Sequence, residues 1–199
     1  MHNIDWQDDK DIYCRMLVLT DNPMFNNLRN AVDNYNADLK DALSWGQLKS
    51  KRWLVKELEK LGIPLGTVYL CAGWYATLAA MLFQSRLSIE KMRSFDIDES
   101  CLDVADTINK PQVLQGWKFK AVTKDIMDID YNEHTWTTWS KANNRMSYDI
   151  IDRPDTIINT SCEHIENFDK WYAKIPQGKM IVLQSNNFFE VEEHVNCVS

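Results

Sequence analysis

The chain has 199 residues, of which 45% are hydrophobic and 26% are charged, as is typical of one globular domain with a substantial core. Its net charge of −7 and the absence of a long Lys/Arg block make a nucleic-acid partner unexpected. The five cysteines lack Cys-x-x-Cys spacing and the four histidines lack His-x-x-x-His spacing, so neither a disulfide framework nor a metal site is predicted. With no signal-peptide pattern and no run that could span a bilayer, we expect a cytoplasmic protein without membrane contact.

Amphipathic helices are predicted for the N-terminal third of the chain. Apolar residues recur at helical spacing from Met24 to about Ser44 and again from Trp53 to Leu61. Gly62 is placed to end the second of these helices, because glycine accepts the left-handed conformation of a helix C-cap. Within a single domain, we therefore predict a helical N-terminal extension at residues 1–65 in front of a core formed by residues 66–199.

A buried strand, a tight turn and a helix are predicted within Thr67–Phe83. Val68–Cys71 is a short apolar run, Ala72 and Gly73 are small, and apolar residues recur at helical spacing beyond them. A helix that begins after such a turn presents unpaired N–H groups, and Gly73 allows a ligand to approach the backbone. The alternative is a strand-to-helix turn without a ligand, because the full Gly-x-Gly-x-x-Gly fingerprint is absent.

Four further strands, separated mostly by helices, are predicted beyond this turn. Several of them are near-continuous apolar runs, which is typical of a parallel sheet covered on both faces. The polar and aromatic stretch 129–154 is predicted to hold a short helix and a loop. The four strands are predicted at Met92–Ile97, Trp117–Thr123, Thr156–Asn159 and Lys179–Gln184.

Polar side chains occur where three of the predicted strands end. Asp96 ends the second strand, about 20 residues beyond the glycine turn, where a carboxylate can accept hydrogen bonds from a ribose. Asp125 follows the third strand and could accept from an exocyclic amine such as that of adenine, and Asn159 ends the fourth strand. The alternatives are that Asp96 or Asp98 caps the next helix and that Asp125 is a solvated loop residue.

Five motifs follow one another in order: Cys71-Ala-Gly73, Ser94-Phe-Asp-Ile-Asp98, Thr123-Lys-Asp125, Thr156-Ile-Ile-Asn-Thr-Ser-Cys-Glu-His-Ile165 and Pro176-Gln-Gly-Lys-Met-Ile-Val-Leu183. In this order they resemble the Rossmann-like (class I) S-adenosylmethionine-dependent methyltransferases, over roughly residues 66–187. The resemblance implies an α/β three-layer sandwich with a mostly parallel sheet. The sequence departs from the family pattern at the turn, where Cys71 stands near the usual acidic position and Gly73 is the only glycine.

The resemblance implies S-adenosylmethionine as the cofactor. The turn would lie against its methionine part, Asp96 would hold the ribose hydroxyls, and Asp125 would meet the adenine amine. Asn159 and Thr160 would lie close to the sulfonium. The cofactor-binding residues expected from the resemblance are Ala72, Gly73, Trp74, Asp96, Ile97, Asp125, Ile126, Asn159 and Thr160.

A general base for the methyl acceptor is optional, and the candidates are Glu163 and His164 after the fourth strand. The alternative is that both residues begin a helix. We expect an enzyme that methylates a small molecule. A nicotinamide-dependent oxidoreductase and a non-catalytic cofactor-binding or interaction domain are the other hypotheses.

The family normally continues beyond the fifth strand with a helix and an antiparallel pair of strands. Residues 188–199 cannot supply these elements, so we expect the final β-hairpin to be missing, from a C-terminally truncated chain; the alternative is a minimal variant of the family. An exposed fifth strand would then make a homodimer or a swapped arrangement plausible.

Overall fold

The computed structural model describes residues 6–140, 143–186, 190, 192 and 194–195, with side chains from residue 12 onward. None of the helices in these ranges is long and apolar enough to cross a membrane. The described helices are α1 (Trp6–Thr20), α2 (Met24–Tyr35), α3 (Trp45–Leu61), α4 (Thr77–Phe83), α5 (Ser100–Ile108), α6 (Lys110–Leu114) and α7 (Phe168–Tyr172). The described strands are β1 (Gly66–Cys71), β2 (Ile89–Asp96), β3 (Phe119–Thr123), β4 (His134–Trp136), β5 (Trp139–Ser140), β6 (Arg145–Met146), β7 (Ile150–Asp152), β8 (Thr156–Asn159) and β9 (Met180–Leu183).

The central sheet contains five parallel strands in the order β3-β2-β1-β8-β9. From β1 the chain moves outward through β2 to β3, and it later returns to the other side of β1 as β8 and β9. The strand order therefore reverses between β1 and β8, and an open parallel sheet binds ligands at the carboxyl ends of its strands near such a reversal. The predicted α/β architecture with a parallel sheet is confirmed.

The two faces of the sheet are covered by different layers. Val68 and Leu70 of β1 pack in one buried cluster with Leu54 of α3, whereas Tyr69 and Cys71 pack in another cluster, which contains Trp171 of α7. Because successive side chains of a strand point to opposite faces, a strand buried on both faces has a continuous apolar sequence. This explains why the apolar residues of β1 show neither the alternation of an amphipathic strand nor the spacing of an amphipathic helix.

Among the described residues, α1, α2 and α3 occupy most of the N-terminal third. Leu28 and Val32 of α2 pack against Val104 and Ile108 of α5, which joins the N-terminal helices to the helical layer of the sandwich. Helix α3 ends at Gly62, whose φ of 65° is the left-handed conformation expected at that position.

The prediction for residues 129–154 was wrong. In the described part of this segment two small antiparallel pairs form, β4 with β7 and β5 with β6, and there is no helix. A tertiary contact explains the pairing, because Asp152 on β7 accepts hydrogen bonds from Arg93 Nε on β2 at 2.6 Å and from Trp136 Nε1 on β4 at 2.7 Å. The prediction of a missing final hairpin concerns residues 188–199, of which only 190, 192, 194 and 195 are among those described.

Candidate functional site

The turn after β1 has an unusual backbone. Ala72, Trp74 and Ala76 have φ values of 50°, 47° and 51°, in the left-handed region that non-glycine residues adopt uncommonly. Each such residue costs on the order of 1–3 kcal/mol, and such strain concentrates at ligand and active sites. The turn is held in place by β2, because Gly73 N–H donates to the Phe95 carbonyl at 3.0 Å and Trp74 N–H donates to Asp96 Oδ2 at 2.7 Å.

Gly73 is required by packing rather than by its own backbone conformation. A Cβ added to this residue would overlap Ser94 Oγ on β2 and would stand 3.2 Å from Leu70 Cγ. The glycine therefore lets the turn lie directly against the neighbouring strand. It does not line the adjacent cavity.

A cavity of about 390 Å³ opens at the carboxyl ends of β1, β2, β3 and β8, beside the reversal of strand order. This volume lies within the range of small-molecule and cofactor sites, which is roughly 300–1,000 Å³. Five of the residues expected to bind a cofactor contribute to its lining, and so does one candidate base. The lining is formed by Ala72, Asp96, Ile97, Asp125, Ile126, Met127, His164, Ile165, Glu166 and Asn167.

The Asp96 carboxylate at the end of β2 is only partly used by the protein. Oδ2 accepts from Trp74 N–H at 2.7 Å and Oδ1 accepts from Asp98 N–H at 3.1 Å. A carboxylate offers about four acceptor positions, so acceptor capacity remains for groups in the cavity. Two adjacent ribose hydroxyls are donors of the kind that this carboxylate could accept.

The Asp125 carboxylate has a similar arrangement. Its Oδ1 accepts from Met127 N–H at 2.8 Å and caps the short 3-10 helix Ile126–Asp128. Ile97, which lines the same cavity, is 73% exposed. An apolar surface next to a free acceptor suits a flat heterocycle that carries an amine.

The other expected cofactor residues lie around this cavity and do not line it. Gly73 packs on Ser94, and Trp74 stacks on Tyr75 with ring centroids 4.6 Å apart. Asn159 is fully buried at the end of β8, where its Oδ1 accepts from Ser161 N–H at 2.9 Å, and its Nδ2 has no hydrogen-bond partner among the described residues.

Thr160 lines a second and larger cavity, of about 690 Å³. His164 lines both this cavity and the smaller one, so the two spaces approach each other at this residue. The residues that line the larger cavity are mostly of polar type, and they come from the segment before α3, the start of α3, the loop after β8 and the segment after β9. Its members are Asp41, Ser44, Gly46, Gln47, Ser50, Thr160, Glu163, His164, Gln184, Ser185, Asn186 and His194.

Glu163 and His164 form part of a 3-10 turn, Cys162–His164, which directly follows the loop after β8. The two side chains differ in exposure: Glu163 is buried, whereas the His164 side chain is 44% exposed. Burial raises the pKa of the neighbouring Cys162 thiol to about 11 and that of Cys71 to about 12. Since the thiolate is the reactive form, neither cysteine is a nucleophile near neutral pH.

Sequence reasoning missed several residues that contribute to these cavities. Met127, Ile165 and Asn167 line the smaller one and His194 lines the larger one. The first three lie within a few residues of Asp125 and His164, so extending each predicted strand end by one turn would have found them. His194 carries no such signal, because its position depends on how the segment after β9 folds back.

No protein-family model and no curated protein sequence matches the chain. Solved structures do match its fold. A protein from Methanococcus maripaludis assigned as an S-adenosyl-L-methionine-dependent methyltransferase matches with a TM-score of 0.52 and 13% identity, over 84% of this chain and 67% of that one. Magnesium protoporphyrin IX methyltransferase from Synechocystis PCC 6803, solved with bound S-adenosylmethionine, matches with a TM-score of 0.51 and 16% identity, over 93% and 79%.

The small RNA methyltransferase HEN1 matches with a TM-score of 0.53 and 12% identity, over 74% of this chain and 19% of that one. The chain thus spans about a fifth of the length of HEN1. These matched proteins differ in what their names say they methylate, and at these identities the likeness concerns the fold. Together with the observed strand order, it shows that the chain has the Rossmann-like fold of the class I S-adenosylmethionine-dependent methyltransferases.

Proposed function

We propose that this chain is an S-adenosylmethionine-dependent methyltransferase that acts on a small molecule. One observation carries the proposal: Asp96 and Asp125, which follow separate strands, line the same cavity at the reversal of strand order and retain acceptor capacity there. Asp96 would accept from the ribose hydroxyls and Asp125 from the adenine amine. Ile97 and Ile126 supply apolar surface for the adenine ring.

The charge of the cavity favours a cationic cofactor. Its described lining includes Asp96, Asp125 and Glu166 but no lysine or arginine. A sulfonium is attracted to such a site, whereas the pyrophosphate of a nicotinamide dinucleotide is repelled.

The backbone of the turn also disfavours a dinucleotide. A pyrophosphate is normally held by free N–H groups where a glycine-rich turn enters a helix. Here the N–H of Gly73 is bonded to Phe95 and that of Trp74 to Asp96. Two donors that a pyrophosphate would need are therefore already used.

The cofactor supplies an activated methyl group, and the protein has to align an acceptor with it. The larger cavity, with its polar lining, has room for a small polar acceptor next to the cofactor cavity. His164 lies between the two spaces, which makes it a candidate to receive the acceptor's proton, with Glu163 beside it. Thr160 lines this larger cavity, and Asn159 precedes it at the end of β8.

Calorimetric titration of the chain with S-adenosylmethionine, S-adenosylhomocysteine and NAD tests the proposal. We expect both sulfur cofactors to bind and NAD not to bind. Binding of NAD alone would identify a nicotinamide-dependent protein and would contradict the proposal. An absence of heat with all three ligands would favour a non-catalytic interaction domain.

A further inference from the structure

One group of side chains beside the larger cavity is suited to hold a metal ion. The carboxylate of Glu163 and the imidazoles of His164 and His194 each offer one ligand atom, and these atoms all lie within 4.8 Å of one another. The two imidazole rings meet edge to face, with centroids 4.7 Å apart. The Val195 N–H donates to the Glu163 carbonyl at 2.8 Å, which fixes the segment of His194 against the turn of the other two ligands.

One carboxylate oxygen of Glu163 is buried and accepts no described hydrogen bond. The residue is 7% exposed, and its Oε1 accepts from Asn186 Nδ2 at 2.8 Å. Its Oε2 is buried and has no hydrogen-bond partner among the described residues. A buried carboxylate oxygen without a hydrogen-bond partner is unfavourable, so such an atom points to a group bound at this carboxylate.

A nearby lysine donates no described hydrogen bond to this oxygen. Burial lowers the pKa of Lys51, while the negative charges of Asp41 and Glu163 act in the opposite direction. Lys51 therefore lies within electrostatic range of Glu163, but its described hydrogen bond is donated to Gln47 Oε1. The Lys51 ammonium therefore acts on Glu163 through its charge alone, and the Glu163 Oε2 still accepts no described hydrogen bond.

The donor set selects the class of cation. One carboxylate and two neutral imidazoles suit divalent transition metals such as Zn²⁺, whereas Ca²⁺ and Mg²⁺ prefer oxygen ligands. Three protein ligands leave a coordination position open, as catalytic zinc sites do.

We propose that Glu163, His164 and His194 bind a divalent transition metal ion of the zinc class, with its open position toward the larger cavity. The proposal that a metal binds here depends only on these three side chains. The role given to the metal rests on the proposed function. In that role the metal binds the acceptor's hydroxyl and lowers its pKa, so the proton passes to solvent. The resulting oxygen forms a bond to the methyl carbon as the carbon–sulfur bond breaks and its electron pair stays on sulfur. His164 then acts as a metal ligand and no longer as the proton acceptor.

Calorimetric titration of the tag-free, chelator-treated full chain with ZnCl₂ tests the site. We expect one Zn²⁺ per chain, with the dissociation constant raised by roughly tenfold or more in Glu163→Gln and in His194→Ala. MgCl₂ should give little heat. Glu192→Gln, an exposed carboxylate in the same segment as His194, is the matched control and should bind Zn²⁺ like the parent chain.

His164→Gln keeps the test valid if a substitution of buried Glu163 prevents folding, because the His164 side chain is 44% exposed. Failure of the parent chain to bind one Zn²⁺, or parent-like affinity in both His164→Gln and His194→Ala, would overturn the proposal. His194→Ala should lose zinc affinity and keep the parent affinity for S-adenosylhomocysteine, since His194 does not line the cofactor cavity. In the parent chain, zinc binding without S-adenosylhomocysteine binding would support the metal site and contradict the proposed function, and S-adenosylhomocysteine binding without zinc binding would do the opposite.

Discussion

Two kinds of carboxylate in this protein differ in the groups that donate hydrogen bonds to them. One kind is Asp152, and the other is Asp96 and Asp125. Asp152 has a fully buried side chain, and it accepts from Lys91 Nζ at 3.0 Å, Arg93 Nε at 2.6 Å and Trp136 Nε1 at 2.7 Å. Burial alone would raise its pKa, but Arg93 and the hydrogen bonds from Trp136 and Lys91 lower it overall.

The carboxylates at the strand ends accept the described hydrogen bonds from backbone N–H groups of nearby turns. They also line an open cavity, which the Asp152 carboxylate does not. A carboxylate saturated by side-chain donors holds the fold together, whereas one with spare capacity at a cavity is available to a ligand. Substitutions that act on stability alone or on binding alone can test this distinction.

Asp152→Asn should give the largest effect. It leaves the guanidinium of Arg93, which is 4% exposed, without its charged partner. Breaking a buried ion pair in this way costs about 3–5 kcal/mol of the free energy of unfolding, measured by urea denaturation. The exposed Asp149→Asn is the control and should change stability by less than about 0.5 kcal/mol. A loss below about 1 kcal/mol for Asp152→Asn would mean that its network is not structural.

Asp96→Ala should act chiefly on binding. Losing a charge-assisted hydrogen-bond acceptor should weaken S-adenosylhomocysteine binding by about 1–3 kcal/mol, as measured by titration calorimetry. Asp98→Ala is a matched control two positions away, because the Asp98 carboxylate accepts from Ser100 N–H at the start of α5. It should leave the dissociation constant unchanged, because this carboxylate is engaged with the start of the helix. Equal dissociation constants in the two variants would remove Asp96 from the site.

Gly73→Ala should have the smallest effect of the three. The added methyl group meets Ser94 Oγ, whose side chain can rotate away, so we expect a loss of about 1 kcal/mol in the free energy of unfolding. The same substitution in a Ser94→Ala background should cost less, which a double-mutant cycle measures. An equal cost in both backgrounds would show that Gly73 is needed for another reason.

The sequence allowed the parallel sheet to be predicted, together with two carboxylates that line the smaller cavity. Strands buried on both faces are continuous apolar runs, and the residues that follow such strands meet at one edge of the sheet. This local rule was sufficient to identify Asp96 and Asp125, although their role as cofactor ligands remains a proposal.

Features that depend on distant contacts could not be predicted in this way. Asp152 meets Arg93 across 59 residues of sequence, and that contact organises a segment for which we had predicted a helix and a loop. His194 lies beside Glu163 and His164 through a contact between distant parts of the chain, the hydrogen bond from the Val195 N–H to the Glu163 carbonyl. Its spacing from the other ligands matches no short metal-binding motif, which is why the sequence predicted no metal.

A crystal structure of the chain with S-adenosylhomocysteine tests the central claim most directly. We predict adenosine in the cavity of about 390 Å³, with the ribose hydroxyls on Asp96 and the adenine amine on Asp125 at hydrogen-bond distances, about 2.5–3.2 Å. Adenosine bound elsewhere, with Asp96 and Asp125 contacting only the protein and solvent, would contradict the account.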